Sequence, residues 1–294
     1  MKKRKNTIQI PTGSKIFDIF NYIFLSIVGI LTLYPFWDAF VVSLSPIEEY
    51  LKTSIHLWPT KISIEPYSYM LNLRELWISY WNTIIVTVVG TSLNMLMTIM
   101  TAYVLSKKDL KGQRIIMFFI IFTMMFSGGL IPLYIVIKNL KMMNSLAALI
   151  IPTAMSTYNL IILRNFFYSI PQSLEEAAMI DGCSEIGILF KIVIPISKPA
   201  ITTITLFYAV TNWNQFFSAV LYIYDKNKWP LQLFLRSLLF ENDMAYQAGG
   251  ESLFMLGQPM KMAAVMMAII PIMCVYPFFQ KHFTKGVMLG AVKG

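Results

Sequence analysis

Six long apolar stretches dominate the pattern of hydrophobic and polar positions along the chain. They cover approximately residues 17–43, 80–105, 115–137, 145–166, 199–222 and 260–279. A helix needs about 20 mostly apolar residues to cross a hydrocarbon core roughly 30 Å thick, and each stretch approaches or exceeds that length. The pattern therefore predicts an all-α polytopic membrane protein with six transmembrane helices.

Composition supports a membrane location. Of 294 residues, 56% are hydrophobic and 13% are charged, whereas about 25% is usual for a soluble chain. Cys183 and Cys274 are too few for a disulfide framework and are expected to be free thiols. Neither His56 nor His282 has a Cys, His, Asp or Glu nearby at the spacing of metal ligands, so no metal site is predicted.

The distribution of charge predicts the orientation of the chain. If the N-terminus lies in the cytoplasm, the whole net charge of +9 falls on the cytoplasmic side, and the opposite side balances to zero. Lys and Arg resist translocation, so this asymmetry predicts that both termini are cytoplasmic. The basic charge is thereby explained without a nucleic-acid partner.

We interpret residues 1–294 as one transmembrane domain. Residues 1–79 hold the N-terminal tail, the first span and an outer loop. Residues 80–280 hold the remaining spans and a long inner loop, and residues 281–294 form a cytoplasmic tail.

The inner loop, residues 171–195, is much longer than a helix connection needs and carries strong local signals. Ser173, followed three residues later by a glutamate, fits a capping box that starts a helix. Gly182 is placed to end that helix in a left-handed cap. Ser184 is expected to start a second short helix, which Pro195 closes.

The residue types in this loop favour a protein partner over the membrane surface. Ala177 and Ala178 are small where a lipid-facing helix would carry Leu or Phe. The polar side is acidic and would be repelled by anionic headgroups; it consists of Glu175, Glu176, Asp181 and Glu185. A small-faced acidic helix fits a protein cleft better.

The spacing of these residues resembles the EAA motif of ABC importer permeases. The matching positions are Glu176-Ala177-Ala178, Gly182 after three residues, and Ile192-Val193-Ile194-Pro195 after nine more. Ile194 stands where the motif has Leu. The C-terminal residues 285–294 are similar to the C-terminus of maltose-type sugar permeases. Residues 126–132, Ile180-Asp181-Gly182 and Asn212-Trp213-Asn214 resemble the branch of that family for complex oligosaccharides, nearest the lipoprotein/polysaccharide type.

The resemblance implies a type I ABC importer permease fold with a cytoplasmic coupling helix that inserts into a groove of an ATPase. It assigns the coupling role to Glu175, Glu176, Ala177, Ala178, Ile180, Asp181 and Gly182. It also implies a second homologous permease subunit, two copies of an ABC ATPase, an extracytoplasmic solute-binding protein and an oligosaccharide substrate in a bacterial plasma membrane. The chain itself is not expected to be an enzyme or to hold a cofactor. None of its 14 glycines is followed by Lys, as a P-loop requires, so ATP and Mg are expected on the partner ATPase.

Polar residues in the fifth predicted span have two open interpretations. Tyr208, Asn212, Trp213, Asn214 and Gln215 could line a substrate pathway, because amides and aromatic rings bind sugars. They could equally be contacts that hold membrane helices together. Ser127 to Gly129 interrupt the third predicted span, where we favour close packing of small residues.

The outer stretch 223–259 contains a candidate mobile loop with Tyr246, Gln247, Gly249 and Gly250. The family resemblance implies that this loop faces the receptor and helps to dislodge its ligand. An amino-acid or peptide importer of the same architecture is the main alternative for the whole chain. A secondary transporter is disfavoured, because the predicted spans lack an ionisable relay.

Overall fold

A computed structural model describes residues 12–52, 56–126, 128–247 and 257–291, and within these ranges the regular structure is entirely helical. The helices, in chain order, are α1 (Thr12–Ser43), α2 (Ile47–Tyr50), α3 (Glu65–Asn72), α4 (Arg74–Ser106), α5 (Gln113–Met125), α6 (Leu130–Asn139), α7 (Ala147–Ile150), α8 (Thr157–Tyr168), α9 (Gln172–Ile180), α10 (Glu185–Ile188), α11 (Ile194–Ile196), α12 (Lys198–Trp213), α13 (Phe217–Tyr222), α14 (Leu231–Gln247) and α15 (Gln258–Ala291). A π-helical turn, Leu189–Val193, joins α10 to α11, and a 3-10 turn, Lys226–Lys228, precedes α14. The chain divides into two compact units, residues 1–70 with 255–266 and residues 71–254 with 267–294.

The first unit contains α1, most of whose apolar residues are exposed, while Val41 and Val42 near its end are buried. The segment Phe17–Ser43 is long and apolar enough to cross a membrane, and its most apolar window has no buried residue. Two hydrogen bonds fix the end of α1. The Trp37 indole donates to the Leu57 carbonyl at 2.8 Å, and the hydroxyls of Ser43 and Tyr67 lie 2.8 Å apart.

The second unit is built around α4, which packs against α8 and α12. The buried face of α4 carries small residues at helical spacing; they are Ser79, Thr83, Gly90, Thr91, Thr98 and Ala102. Small side chains let helix backbones approach closely, which is how membrane helices associate without a hydrophobic driving force. An added Cβ at Gly90 would lie 2.9 Å from Asn212 Nδ2, so only glycine fits at this crossing.

Three predicted spans are each two shorter helices. The third, in which the sequence indicates an interruption at Ser127 to Gly129, is α5 and α6. The fourth is α7 and α8 and the fifth is α12 and α13, so the prediction of these two as continuous helices is wrong. Pro152 follows α7 and Ser156 caps α8, which explains the second break. Within the described residues, two single helices and two bent pairs of helices are long and apolar enough to cross a membrane. Six crossings therefore stay a prediction.

The break between α5 and α6 does not come from close packing at glycine. Among the described residues, a Cβ at Gly128 would meet only the Pro132 ring, at 3.9 Å, and one at Gly129 would meet no atom within 4 Å. Gly129 has a φ of 87°, a left-handed conformation that glycine adopts without strain. The helix opens here, and Ser127 lies outside the described residues.

Candidate functional site

The loop 171–195, called the EAA loop below, begins with α9. Pro171 precedes the helix without a side-chain cap, and Ser173 lies inside the first turn. The predicted capping box is therefore wrong, because the fixed φ of proline already orients the chain for helix entry. The C-terminal prediction is confirmed. Gly182 has a φ of 81°, its N–H donates to Met179, and the Cys183 N–H donates to Ala178, a Schellman cap.

The two alanines of α9 lie in different environments. Ala178 is buried and belongs to the apolar core formed with α4, α8 and α12. Ala177 is exposed, and so is Ile180 on the same side of the helix, with 87% of its surface accessible. Leu174 is the third exposed apolar residue of this surface. We call Leu174, Ala177 and Ile180 the outer ridge of α9.

The adjacent glutamates of the loop also differ. The Glu175 side chain is 13% exposed, and its Oε2 lies 2.5 Å from Lys107 Nζ. Glu176 is exposed and makes no ion pair or hydrogen bond with the described part of the chain. Asp181 and Gly182 are exposed beyond the end of α9. Glu176 and Asp181 are thus the two acids of the predicted coupling set that are open to a partner.

Lys107 is the residue that directly follows α4, and it joins three acceptor groups. Its Nζ lies 2.5 Å from Glu175, 3.0 Å from Glu185 and 4.3 Å from the Tyr103 ring centroid. The Tyr103 hydroxyl donates to Glu185 Oε2 at 2.9 Å. Burial alone would lower the pKa of Lys107, but the hydrogen bonds to Glu175, Tyr103 and Glu185 outweigh it and raise that pKa. Hydrogen bonds from Lys107 and Tyr103 lower the pKa of Glu185.

A cleft of about 410 Å³ opens beside these charges. Lys108, Tyr168 and Glu176 contribute to its walls, together with Lys107 and Glu175. Tyr168 is flanked by two cations, Lys108 at 5.3 Å and Arg164 at 4.5 Å from the ring centroid. The exposed side of the EAA loop thus combines an apolar ridge, two carboxylates without a partner in the described chain, and a cleft whose walls are both apolar and charged.

The second half of the EAA loop runs from Glu185 to Ile196 and meets α12 at an angle of 85°. Ser184 caps its start by accepting from the Gly187 N–H at 3.2 Å, which confirms that prediction. Pro195 does not close the segment, because the helix continues to Ile196. Proline has no N–H to donate to the carbonyl of Lys191, and the π-helical turn lies directly before it.

The polar residues of the fifth predicted span are largely bonded within the chain. Asn212 Nδ2 donates to Asn94 Oδ1 at 2.9 Å and to Thr91 Oγ1 at 3.2 Å. Gln215 Nε2 donates to the Leu149 carbonyl at 3.0 Å and to Asn212 Oδ1 at 3.1 Å. All four side chains are buried, so Asn212 and Gln215 hold helices together.

Tyr208 has a similar role. It is buried, its hydroxyl lies 2.7 Å from Thr98 Oγ1, and it accepts from the Ser156 N–H at 3.0 Å. Tyr208 therefore joins α12 to α4 and to the start of α8, as expected of a residue that holds membrane helices together. A pathway role for the five-residue set stays a prediction.

Trp213 and Asn214 differ from their neighbours, since they lie where α12 ends. Asn214 is exposed, and its Oδ1 accepts from Gln232 at 3.2 Å. Trp213 lines an apolar cleft of about 160 Å³, and its buried Nε1 has no hydrogen-bond partner among the described residues. These two side chains are the members of the set that are not fully buried.

The predicted receptor-facing loop lies largely beyond the described chain. Tyr246 and Gln247 are the last residues of α14, and Gly249 and Gly250 fall outside the described residues. This prediction is therefore untested.

Sequence reasoning missed Lys107, Glu185 as its partner, Thr91 and Gly90. Gly90 and Thr91 carry no individual signal beyond being small residues in an apolar helix. Lys107 was counted only as one of the charges that orient the chain.

The chain belongs to the family described as the inner membrane component of binding-protein-dependent transport systems, which matches residues 94–289. It is 44% identical to the polygalacturonan/rhamnogalacturonan transport system permease protein YtcP of Bacillus subtilis (strain 168), over 96% of this chain and 99% of that protein. It is 41% identical to protein LplC of the same organism, over 98% and 99% of the two chains. These matches confirm the resemblance drawn from the EAA motif.

A solved structure of a bacterial ABC transporter, involved in the import of the acidic polysaccharide alginate, contains a chain of the same fold. The TM-score is 0.86 and the identity 33%, over 93% of this chain and 99% of that one. The protein is accordingly a membrane permease component of the ABC importer class, and the relatives favour the carbohydrate branch over amino-acid or peptide importers.

Proposed function

We propose that this chain is one of two membrane-spanning subunits of an ABC importer for oligosaccharides. A second homologous permease completes the pathway, two copies of an ABC ATPase bind on the cytoplasmic side, and an extracytoplasmic solute-binding protein delivers the substrate. ATP and Mg bind to the ATPases, and this chain catalyses no reaction. The binding-protein-dependent family supports this set of partners.

The observation that carries the proposal is the exposed surface of α9. The outer ridge, Leu174, Ala177 and Ile180, leaves apolar surface open on a helix that is otherwise anchored in the core. Glu176 beside it is free of partners in the described chain. A cleft in the ATPase lined by apolar and basic side chains would bury the ridge and pair with Glu176 and Asp181.

Because the ATPase binds on the cytoplasmic side, docking of α9 requires the EAA loop to lie in the cytoplasm. This agrees with the orientation that the asymmetry of Lys and Arg predicts, in which both termini are cytoplasmic. Membrane lipid covers the exposed apolar residues of α1. ATP-driven closure of the ATPases would then move α9 and switch the pathway between outward-facing and inward-facing states.

We propose acidic oligosaccharides, in particular oligogalacturonides, as the first substrates to test. One relative is a permease for polygalacturonan and rhamnogalacturonan, and the solved relative serves an acidic polysaccharide. Trp213 and Asn214 are the pathway residues of this chain best placed to contact sugar. Tyr246, Gln247, Gly249 and Gly250 form the proposed receptor-facing loop.

The decisive experiment is reconstitution of the full complex and measurement of ATP hydrolysis with a panel of oligosaccharide-loaded binding proteins. Glu176→Lys should release the ATPase or abolish stimulation by the loaded binding protein. Glu65→Lys, which reverses an exposed acid on α3, is the matched control and should behave like the wild type. Normal assembly and stimulation in Glu176→Lys would refute the proposed docking.

A further inference from the structure

Lys107 connects the end of α4 to both helices at the start of the EAA loop. Glu175 belongs to α9 and Glu185 to α10, and the two carboxylates lie 2.5 and 3.0 Å from the same Nζ. The Lys107 side chain is 25% exposed and that of Glu175 13%. Exposed ion pairs contribute little because water screens them. The contact of Lys107 with Glu175 is partly shielded, whereas the Glu185 side chain is 61% exposed, so Glu175 is the stronger partner.

The position of Lys107 strengthens the contact further. It follows the last residue of α4, where the helix dipole is negative and attracts a cation. The Tyr103 ring faces the same ammonium at 4.3 Å. Both interactions hold the ammonium at the C-terminal end of α4, so a displacement of α9 would pull on that end through the ion pair of Lys107 and Glu175.

The end of α4 is also tied to two other helices. The Leu105 carbonyl accepts from Arg164 Nε of α8 at 2.9 Å and from Gln113 Nε2 of α5 at 2.6 Å. A force on Lys107 therefore reaches a junction of three helices that continue into the body of the second unit.

Glu175 and Ala178 attach the same face of α9 to this body. They are three residues apart and so lie one above the other on the helix. Ala178 packs in the apolar core, and Glu175 holds the ion pair. Two attachment points fix the axis of α9, while Ala177 and Glu176 face outward. A single attachment would let the helix pivot.

We propose that Lys107 is a positioning residue for energy coupling, and that Glu175 and Glu176 have different functions. Glu175, with Lys107 and Glu185, fixes α9 to α4 so that movement of the docked ATPase is passed into the membrane helices. Glu176 contacts the ATPase. This inference rests on the proposed function, because it requires an ATPase bound to the outer ridge of α9.

The test uses the reconstituted complex with its ATPases and binding protein, and compares three readouts: ATPase retained on purification, ATP hydrolysis, and substrate transported per ATP. Lys107→Met and Glu175→Gln should retain the ATPase to within about twofold and lower transport per ATP by about fivefold or more. Lys107→Arg keeps the charge and should preserve transport per ATP. Glu176→Gln is the matched neighbour and should weaken ATPase retention instead.

The double variant Lys107→Met with Glu175→Gln provides an independent criterion, since two residues that act through one ion pair give losses that do not add. It should lose no more transport per ATP than the worse of the two single variants. Unchanged transport per ATP in Lys107→Met and Glu175→Gln, with the ATPase retained, would overturn the inference. So would losses that multiply in the double variant. Full ATPase retention and coupling in Glu176→Lys would instead contradict the proposed docking, so the two failures are distinguishable.

Discussion

Gly90→Ala should disrupt the crossing of α4 and α12, because the new methyl group would collide with Asn212. The added Cβ would lie 2.9 Å from Nδ2 and 3.2 Å from Cγ of Asn212. The Asn212 amide cannot move freely, since it donates to Thr91 and Asn94 and accepts from Gln215. The collision therefore breaks or distorts a buried hydrogen-bond network.

The magnitude follows from the contacts that must be lost. Three hydrogen bonds at about 0.6 kcal/mol each, the average between membrane helices, amount to about 2 kcal/mol. Overpacking a tight interface costs about 1–3 kcal/mol, and the better helix propensity of alanine returns about 1 kcal/mol. We expect the free energy of unfolding to fall by about 2–4 kcal/mol.

The assay is reversible unfolding of the purified protein in mixed micelles, followed by tryptophan fluorescence. Gly29→Ala is the matched control, since a Cβ at Gly29 in α1 meets nothing within 4 Å. It should be neutral or slightly stabilising. Asn212→Ala removes the obstructing amide, so adding Gly90→Ala to that background should cost little or nothing further.

Two results would refute this reasoning. One is a Gly90→Ala protein as stable as Gly29→Ala. The other is an equal cost of Gly90→Ala in the wild-type and Asn212→Ala backgrounds, which would mean that the collision does not involve Asn212.

Two further predictions concern a proline in α15 and the pH dependence of the ion pair. Pro271 has no N–H to donate to the Met267 carbonyl, which accepts from the Tyr80 hydroxyl instead. Tyr80→Phe should therefore lower the free energy of unfolding by about 1–2 kcal/mol, and in a Pro271→Ala background, where the new alanine can donate to that carbonyl, the same change should cost less. Equal losses in the two backgrounds, measured by unfolding titration, would contradict this explanation. Because the pKa of Lys107 is raised in the folded protein, its contribution to stability is complete below about pH 10.4 and is lost as the pH rises through the raised pKa. Because the pKa of Glu185 is lowered, its contribution to stability is complete above about pH 4.3 and is lost as the pH falls through the lowered pKa. The deficit of Lys107→Met in transport per ATP should then stay constant between about pH 6 and 9, and a deficit that vanishes within that range would refute the charged pair.

Local sequence signals predicted two of the four helix boundaries in the EAA loop, the end of α9 at Gly182 and the start of α10 at Ser184, and were wrong at Ser173 and Pro195. Gly182 and Ser184 act on hydrogen bonds within three to five residues of themselves, so their roles can be read without the tertiary structure. The motif likewise marked Glu176 and Ala177. It did not separate Glu175 from Glu176, because their difference depends on Lys107, which is 68 positions away from Glu175 in the chain.

The polar stripe of the fifth predicted span shows a second limit. Tyr208 and Asn212 are four residues apart, a spacing that predicts one helical face, and both are buried in α12. Spacing could not show that this face is buried against Thr98 and Asn94 of α4, since the partners come from a distant segment. The mean hydropathy does not indicate the breaks after Met125 and Ile150, because the residues on both sides of each break are apolar. The break after Met125 is indicated only by the small residues Ser127 to Gly129.

Site-directed cross-linking at the two adjacent alanines of α9 tests the central claim most directly. Ala177 is exposed and Ala178 is buried, so cysteines at these positions differ only in the side of the helix that carries them. If α9 docks in the ATPase by its outer ridge, Ala177→Cys will cross-link to the ATPase in the assembled importer, and Ala178→Cys will not. An active complex in which Ala177→Cys gives no cross-link, or in which Ala178→Cys reacts equally well, would contradict the account.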